Sequence, residues 1–258
     1  MITLDNTGVG GSTGTTPDTI EPMAGDAIAF NTALGPRHSG FQPCRDDPHR
    51  EEIDMTPTAG ILGAGTVGKA VARFFLAAGR NVVISNSRGP GSLGEVIAEL
   101  GNGAEAGTSA QAAQAPLVVL ATPWTAVETT LAALPPWSGN TLVDATNAIK
   151  VYDPPTVEMF DFGDRTSSEV VASLAPGASV VKAFNHIPFT RLLSPVPDGE
   201  QHALFLSGDD TAAKADLRSV LEANNFAVID LGDLATGSRI QQTGGSLSGL
   251  DLRLYAAG

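Results

Sequence analysis

The chain has a single cysteine, Cys44, so no internal disulfide can form, and its four histidines and one thiol show no metal-ligand spacing. Positive charge is scarce. Against 28 Asp and Glu stand 15 Lys and Arg, and the resulting net charge of -13 argues against a nucleic-acid or anionic-membrane partner, though it leaves room for a local phosphate site. No apolar run approaches bilayer length, and Met1 to Gly14 has neither the basic start nor the apolar stretch of a signal peptide. The expectation is a soluble, cytoplasmic protein.

A length of 258 residues and a hydrophobic content of 42% suit one large α/β domain, or one such domain with a tail. Residues 1–57 are rich in Gly, Thr, Pro and Asp, show no periodicity and end in the charged cluster Arg45 to Glu52, so they read as a disordered extension before a domain over 58–258. Met55 stands just before the first expected strand, which suggests that translation starts there.

The most informative stretch is Gly60 to Gly68. Gly63, Gly65 and Gly68 have the G-x-G-x-x-G spacing: one glycine for a sharp turn out of a strand, one where a pyrophosphate approaches the backbone, one for close packing of helix on sheet. The context agrees, with a short apolar strand over Ala59 to Leu62. Val67, Ala70, Val71, Phe74, Phe75 and Ala78 then recur at helical spacing, and a β-branched strand follows over Asn81 to Ile84. Backbone N–H groups of Thr66 and Val67, at the start of that helix, are placed to hold the pyrophosphate. An Asp or Glu after the second strand would bond a ribose 2′-hydroxyl. None is there. Ser85, Asn86, Ser87 and Arg88 offer hydroxyls, an amide and a guanidinium instead, which suits the 2′-phosphate of NADP.

Downstream, Ser92 and Glu95 have capping-box spacing for a helix to about Leu100, and a strand is expected near Ala104 and a small helix over Ser109 to Ala115. Leu117 to Ala121 reads as a buried parallel strand ending at Thr122, Pro123 and Trp124, with Trp124 as a pocket wall. Further helices over Ala126 to Leu134 and Ser167 to Leu174, and strands over Thr141 to Asp144 and Ser179 to Val181, put Asn147, Lys182, Asn185 and His186 at carboxyl ends of strands. A polar loop is expected between Asn147 and Ser167. The fold class that follows is α/β, a Rossmann-type, doubly wound, mostly parallel sheet.

From about residue 59 to 245 the chain resembles the NADPH-dependent deazaflavin (factor 420) reductase family, and is similar to the NADPH-oxidoreductase domain of the six-transmembrane metalloreductases. The match lies in Gly63 to Gly68, Asn86 to Gly89, Thr122 to Trp124, Val143 to Asn147, Ser167 to Glu169, Val180 to Pro188 and Ser207 to Asp210. The resemblance implies a compact Rossmann domain with two extra strands, expected at His202 to Leu206 and Phe226 to Ile229, and a homodimer. It also implies hydride transfer between NADPH and a deazaflavin coenzyme or a flavin (FMN or FAD). Thr122, Pro123, Trp124, Asn185 and His186 would border the two rings, Asn147 and Lys182 would orient polar edges, and Ala121 and Ala183 would also belong to the cofactor-binding set. His186 is the nearest proton donor by residue type. A reductase of a small organic substrate, or an NADP-binding redox sensor without turnover, remains open as an alternative.

Overall fold

A computed structural model describes residues 58–153 and 156–255. The expected N-terminal extension, with Cys44 and Met55, lies outside the described residues. From Thr58 onward, strands and helices alternate: β1 (Thr58–Leu62), α1 (Thr66–Ala77), β2 (Asn81–Ser85), α2 (Gly94–Leu100), β3 (Ala104–Ala106), α3 (Ser109–Ala112), β4 (Leu117–Leu120), α4 (Val127–Ala132) and β5 (Thr141–Asp144). A hairpin, β6 (Ile149–Asp153) and β7 (Thr156–Met159), interrupts the pattern. There follow α5 (Ser167–Leu174), β8 (Ser179–Lys182), α6 (Phe189–Leu192), β9 (Glu200–Gly208), α7 (Thr211–Ala223), β10 (Ala227–Asp230), α8 (Leu234–Gln241) and β11 (Arg253–Tyr255).

The main sheet has the order β10-β9-β8-β5-β4-β1-β2-β3. From β3 to β8 all pairs are parallel. Every residue of β4 and β5 is buried, as expected of strands covered on both faces. Side chains alternate across the sheet. Ile61 and Val119 join a core with Phe74 and Phe75 of α1, while their neighbours Leu62, Val118 and Leu120 join a second core with Val127, Leu131 and Val171. Because β1 pairs β2 on one side and β4 on the other, strand order reverses there, and the loops after β1 and β4 part to open a cleft.

Beyond β8 the direction changes. β9 runs antiparallel to it, with Val181 opposite Gly208 and Lys182 opposite Ser207, and pairs β10 in parallel and β11 antiparallel. The two extra strands are present, and the C-terminal segment forms α8 and β11. Two expectations are corrected. The Ser92–Glu95 capping box does not form: Leu93 is the N-cap of α2, and the Ser92 hydroxyl is committed to the preceding turn, donating to the Gly89 carbonyl at 2.8 Å. The expected polar loop holds the β6–β7 hairpin, whose residues are mostly exposed and so lack the in-and-out alternation that marks a strand.

Candidate functional site

At Gly63 the chain leaves β1 with φ +116, and its N–H donates to the Ser85 carbonyl at 3.0 Å. A Cβ at Gly63 would lie 2.4 Å from the Ala121 carbonyl oxygen, and one at Gly68 would lie 1.8 Å from the Gly63 carbonyl oxygen. These two glycines therefore let strand ends and helix approach one another. Gly65 is different. A Cβ there meets nothing within 4 Å and would project into open space. Gly65 is also the N-cap of the 12-residue α1, with no side-chain cap and no acid in the first turn, so the first N–H groups and the positive end of the helix dipole are left for an anion.

Facing this helix end, the loop after β2 is held by its own polar atoms. Asn86 Oδ1 accepts from the Arg88 N–H at 3.0 Å, and Asn86 Nδ2 donates to Ser92 Oγ at 3.0 Å. The Arg88 guanidinium is exposed and makes no hydrogen bond or ion pair with another described residue. A cleft of about 720 Å³ brings together Gly63, Gly65, Asn86, Ser87, Arg88, Ala121, Thr122 and Pro123, with the Thr122 hydroxyl buried and without a partner among the described residues. Next along α1, Thr66 and Val67 line a second cavity of about 370 Å³ together with Asn147, Asn185 and His186. The two cavities thus flank the amino end of α1.

Four residues expected at the site lie elsewhere. Ser85 is fully buried, and its hydroxyl donates to the Ile61 carbonyl at 3.0 Å, so it is a strut between β1 and β2. Lys182 is fully buried too: Nζ lies 3.0 Å from Asp144 Oδ2 and donates to the Thr146 carbonyl at 2.6 Å. Asp144 also accepts from Ser168 Oγ at 2.7 Å and from Thr146 Oγ1 and N at 2.6 and 2.9 Å. This network fixes the turn that carries Asn147. Ala183 is buried in the core, and Trp124 packs against Phe160 and Phe162, with ring centroids 6.4 and 5.2 Å away, rather than lining either cavity. Gly68 acts through packing, beneath the cleft. Sequence reasoning missed Phe184 and Thr243, which also line the second cavity. Phe184 holds φ +65, an unusual conformation for an aromatic residue, at the turn that presents Asn185.

His186 is 2% exposed, its ring edge-on to Phe205 at 4.7 Å, and neither ring nitrogen has a hydrogen-bond partner among the described residues. Burial pushes its pKa down to about 4, against the weaker opposing influence of the Ala203 backbone and Asp251. At neutral pH the ring is therefore uncharged. It can accept or donate a hydrogen bond, but it holds no ready proton for an acceptor. Its ordinary value is 6.5, so an unfolded chain binds a proton that the folded ring refuses, and this contribution to stability falls with pH between 6.5 and about 4. Urea unfolding at a series of pH values should show about 3 kcal/mol lost across that window, and His186→Phe should flatten that part of the profile. A slope that His186→Phe leaves unchanged would assign the effect to other groups.

Among the described residues no helix is long and apolar enough to cross a membrane, and no group of three His, Cys, Asp or Glu side chains could hold a metal ion. Residues 58–148 match the model of the family described as NADP oxidoreductase, coenzyme F420-dependent. The chain is 28% identical over 186 residues to metalloreductase STEAP3 of Rattus norvegicus, which covers 72% of this chain and 36% of that protein. It thus spans about a third of the length of that relative. Among solved structures it is similar to a hypothetical protein of Sinorhizobium meliloti, at 40% identity and a TM-score of 0.69, covering 77% of this chain and 95% of the other. It is also similar to a proposed F420-dependent NADP-reductase of Arthrobacter sp. FB24, at 27% identity and a TM-score of 0.57, covering 70% and 86%.

Proposed function

We propose, because residues 58–148 match the model of the family described as NADP oxidoreductase, coenzyme F420-dependent, that this chain moves hydride between NADPH and a deazaflavin or flavin ring. The observation that carries the cofactor half is the Arg88 guanidinium, unpaired among the described residues at the rim of the 720 Å³ cleft beside Asn86 and Ser87, with no carboxylate at the end of β2. A guanidinium left to solvent there, next to hydroxyl and amide donors, suits a dianionic phosphate. The residues present fit the dinucleotide in two further respects: the open space at Gly65 and the uncapped amino end of α1 leave room and donors for its pyrophosphate.

When bound, NADPH would supply the hydride. The chain's own residues have positioning work to do. Pro123 and Thr122 form one wall of the cleft, and Thr66, Val67, Asn185 and His186 line the neighbouring cavity, where a flat acceptor can meet the nicotinamide with water excluded. Among the described residues no charged side chain lines that cavity, so an acceptor ring would enter it without a counter-ion from them. The chemistry asks for alignment and dryness rather than for a nucleophile.

Calorimetry with NADPH and NADH tests the cofactor half. Arg88→Ala should weaken NADPH binding by about 1.5–3 kcal/mol, roughly ten- to 150-fold, and leave NADH binding unchanged. Equal affinity of the wild-type protein for both dinucleotides would refute it. Loss of NADPH absorbance on addition of coenzyme F420, FMN or FAD tests the acceptor half; binding without turnover on all three would mark the protein as an NADP-binding sensor.

A further inference from the structure

Two amide side chains at the carboxyl ends of neighbouring strands have their hydrogen-bond polarity set by the last residue of α8 and the segment that follows it. Asn185, after β8, is 6% exposed, and its Nδ2 donates to the Gln241 backbone carbonyl at 3.3 Å. A carbonyl can only accept, so the amide cannot be turned round, and Oδ1 is left buried without a partner among the described residues. Asn147, after β5, is fixed in the opposite sense. Its Oδ1 receives the Thr243 hydroxyl at 2.6 Å, the length of an O–H···O bond rather than of an N–H···O bond, which leaves Nδ2 to donate. Gln241 is itself anchored, through Nε2, to Ser207 Oγ at 2.7 Å and the Lys182 carbonyl at 3.2 Å.

Asn147, Asn185 and Thr243 all line the 370 Å³ cavity beside the amino end of α1, whose wall has no charged side chain among the described residues. One free acceptor and one free donor on an uncharged wall complement a primary carboxamide, which offers an N–H and a C=O side by side. We propose that Asn185 Oδ1 accepts from the N–H, and Asn147 Nδ2 donates to the C=O, of the nicotinamide carboxamide. Thr243 and the Gln241 backbone act as positioning groups. This assignment rests on the NADP reading and adds to it which face of the site reads the redox-active end.

Calorimetry of the full chain with NADP and with its 3-acetylpyridine analogue tests it, since the analogue keeps the C=O and replaces the NH2 by a methyl group. The wild-type protein should bind NADP about tenfold more tightly than the analogue, because the analogue leaves Asn185 Oδ1 buried and unpaired. In Asn185→Leu the NADP affinity should fall about tenfold and the ratio close to within about twofold. Thr243→Val keeps the shape but frees the Asn147 amide to rotate, and should weaken NADP about fivefold, whereas Thr243→Ser should bind as the wild type does. This second pair decides the matter even if Asn185→Leu does not fold. A wild-type ratio near one, or Thr243→Val binding NADP undiminished, overturns the carboxamide assignment alone. Failure of the wild-type protein to bind NADP at all overturns the cofactor reading with it.

Discussion

Lys182→Met should destabilise the fold by about 3–5 kcal/mol. Lys182 and Asp144 are both fully buried, 3.0 Å apart, and Asp144 is enclosed by bonds from Thr146 and Ser168. Without the ammonium group, a carboxylate stays behind in a low-dielectric interior with neutral donors only. It must then either keep its charge uncompensated or take up a proton and break a donor bond. Since a domain of this size is stable by about 5–15 kcal/mol, the loss is a large share of the total. Urea denaturation gives the number. The double change Lys182→Met with Asp144→Leu should recover part of it, because the orphaned charge goes with its partner. A loss below about 1 kcal/mol for Lys182→Met would mean that the pair is not a structural anchor, and would reopen a direct role for Lys182 in binding.

Two glycines of one motif should fail in opposite ways. Gly68→Ala puts a Cβ 1.8 Å from the Gly63 carbonyl oxygen, a backbone atom whose own residue sits at φ +116 and is itself pressed against Ala121. Neither partner can yield without parting α1 from the end of β1, so the cost should be about 3 kcal/mol or more in stability. Gly65→Ala meets no atom within 4 Å, and φ −79 is comfortable for alanine. Its stability should stay within about 0.5 kcal/mol of the wild type. The new methyl group, though, stands where the pyrophosphate is proposed to lie, and NADPH affinity should fall about a hundredfold. Thermal unfolding and calorimetry on the two variants separate the roles. Retained affinity in Gly65→Ala would move the pyrophosphate elsewhere.

The parts of the site that could be read from the sequence are those in which neighbours along the chain do the work. Gly63, Gly65 and Gly68 act within one turn, and Asn86 to Arg88 form a loop tied by bonds a few residues long, so spacing alone predicts their arrangement. Ser85 and Lys182 went astray for a shared reason. Each is the last residue of a strand, and successive strand side chains point to opposite faces, so nearness to the carboxyl end does not say whether a side chain faces the site or the core. For Lys182 a sign was available: Asp144 ends the neighbouring strand and is its register partner, and an acid and a base closing two apolar runs suit a buried pair. Trp124 reads as a pocket wall because it follows the carboxyl end of β4, where ligands of open α/β sheets sit. Phe160 and Phe162, just past the β6–β7 hairpin, are what it packs against. The grip of Gln241 and Thr243 on Asn185 and Asn147 spans long stretches of chain and leaves no local pattern.

The reversal at β9 relaxes the connection that precedes it. In an all-parallel sheet each strand must be followed by a crossover that travels back beneath the layers, so the length of the connection is constrained by the core. Here the segment from Ala183 to Gly199 has no such journey to make, because β9 returns alongside the strand just left. It carries Asn185, His186 and α6 over one rim only. A change in the length of that stretch between Ile187 and Gly199 therefore leaves the pairing of β8 with β9 intact, while it reshapes the wall of the 370 Å³ cavity.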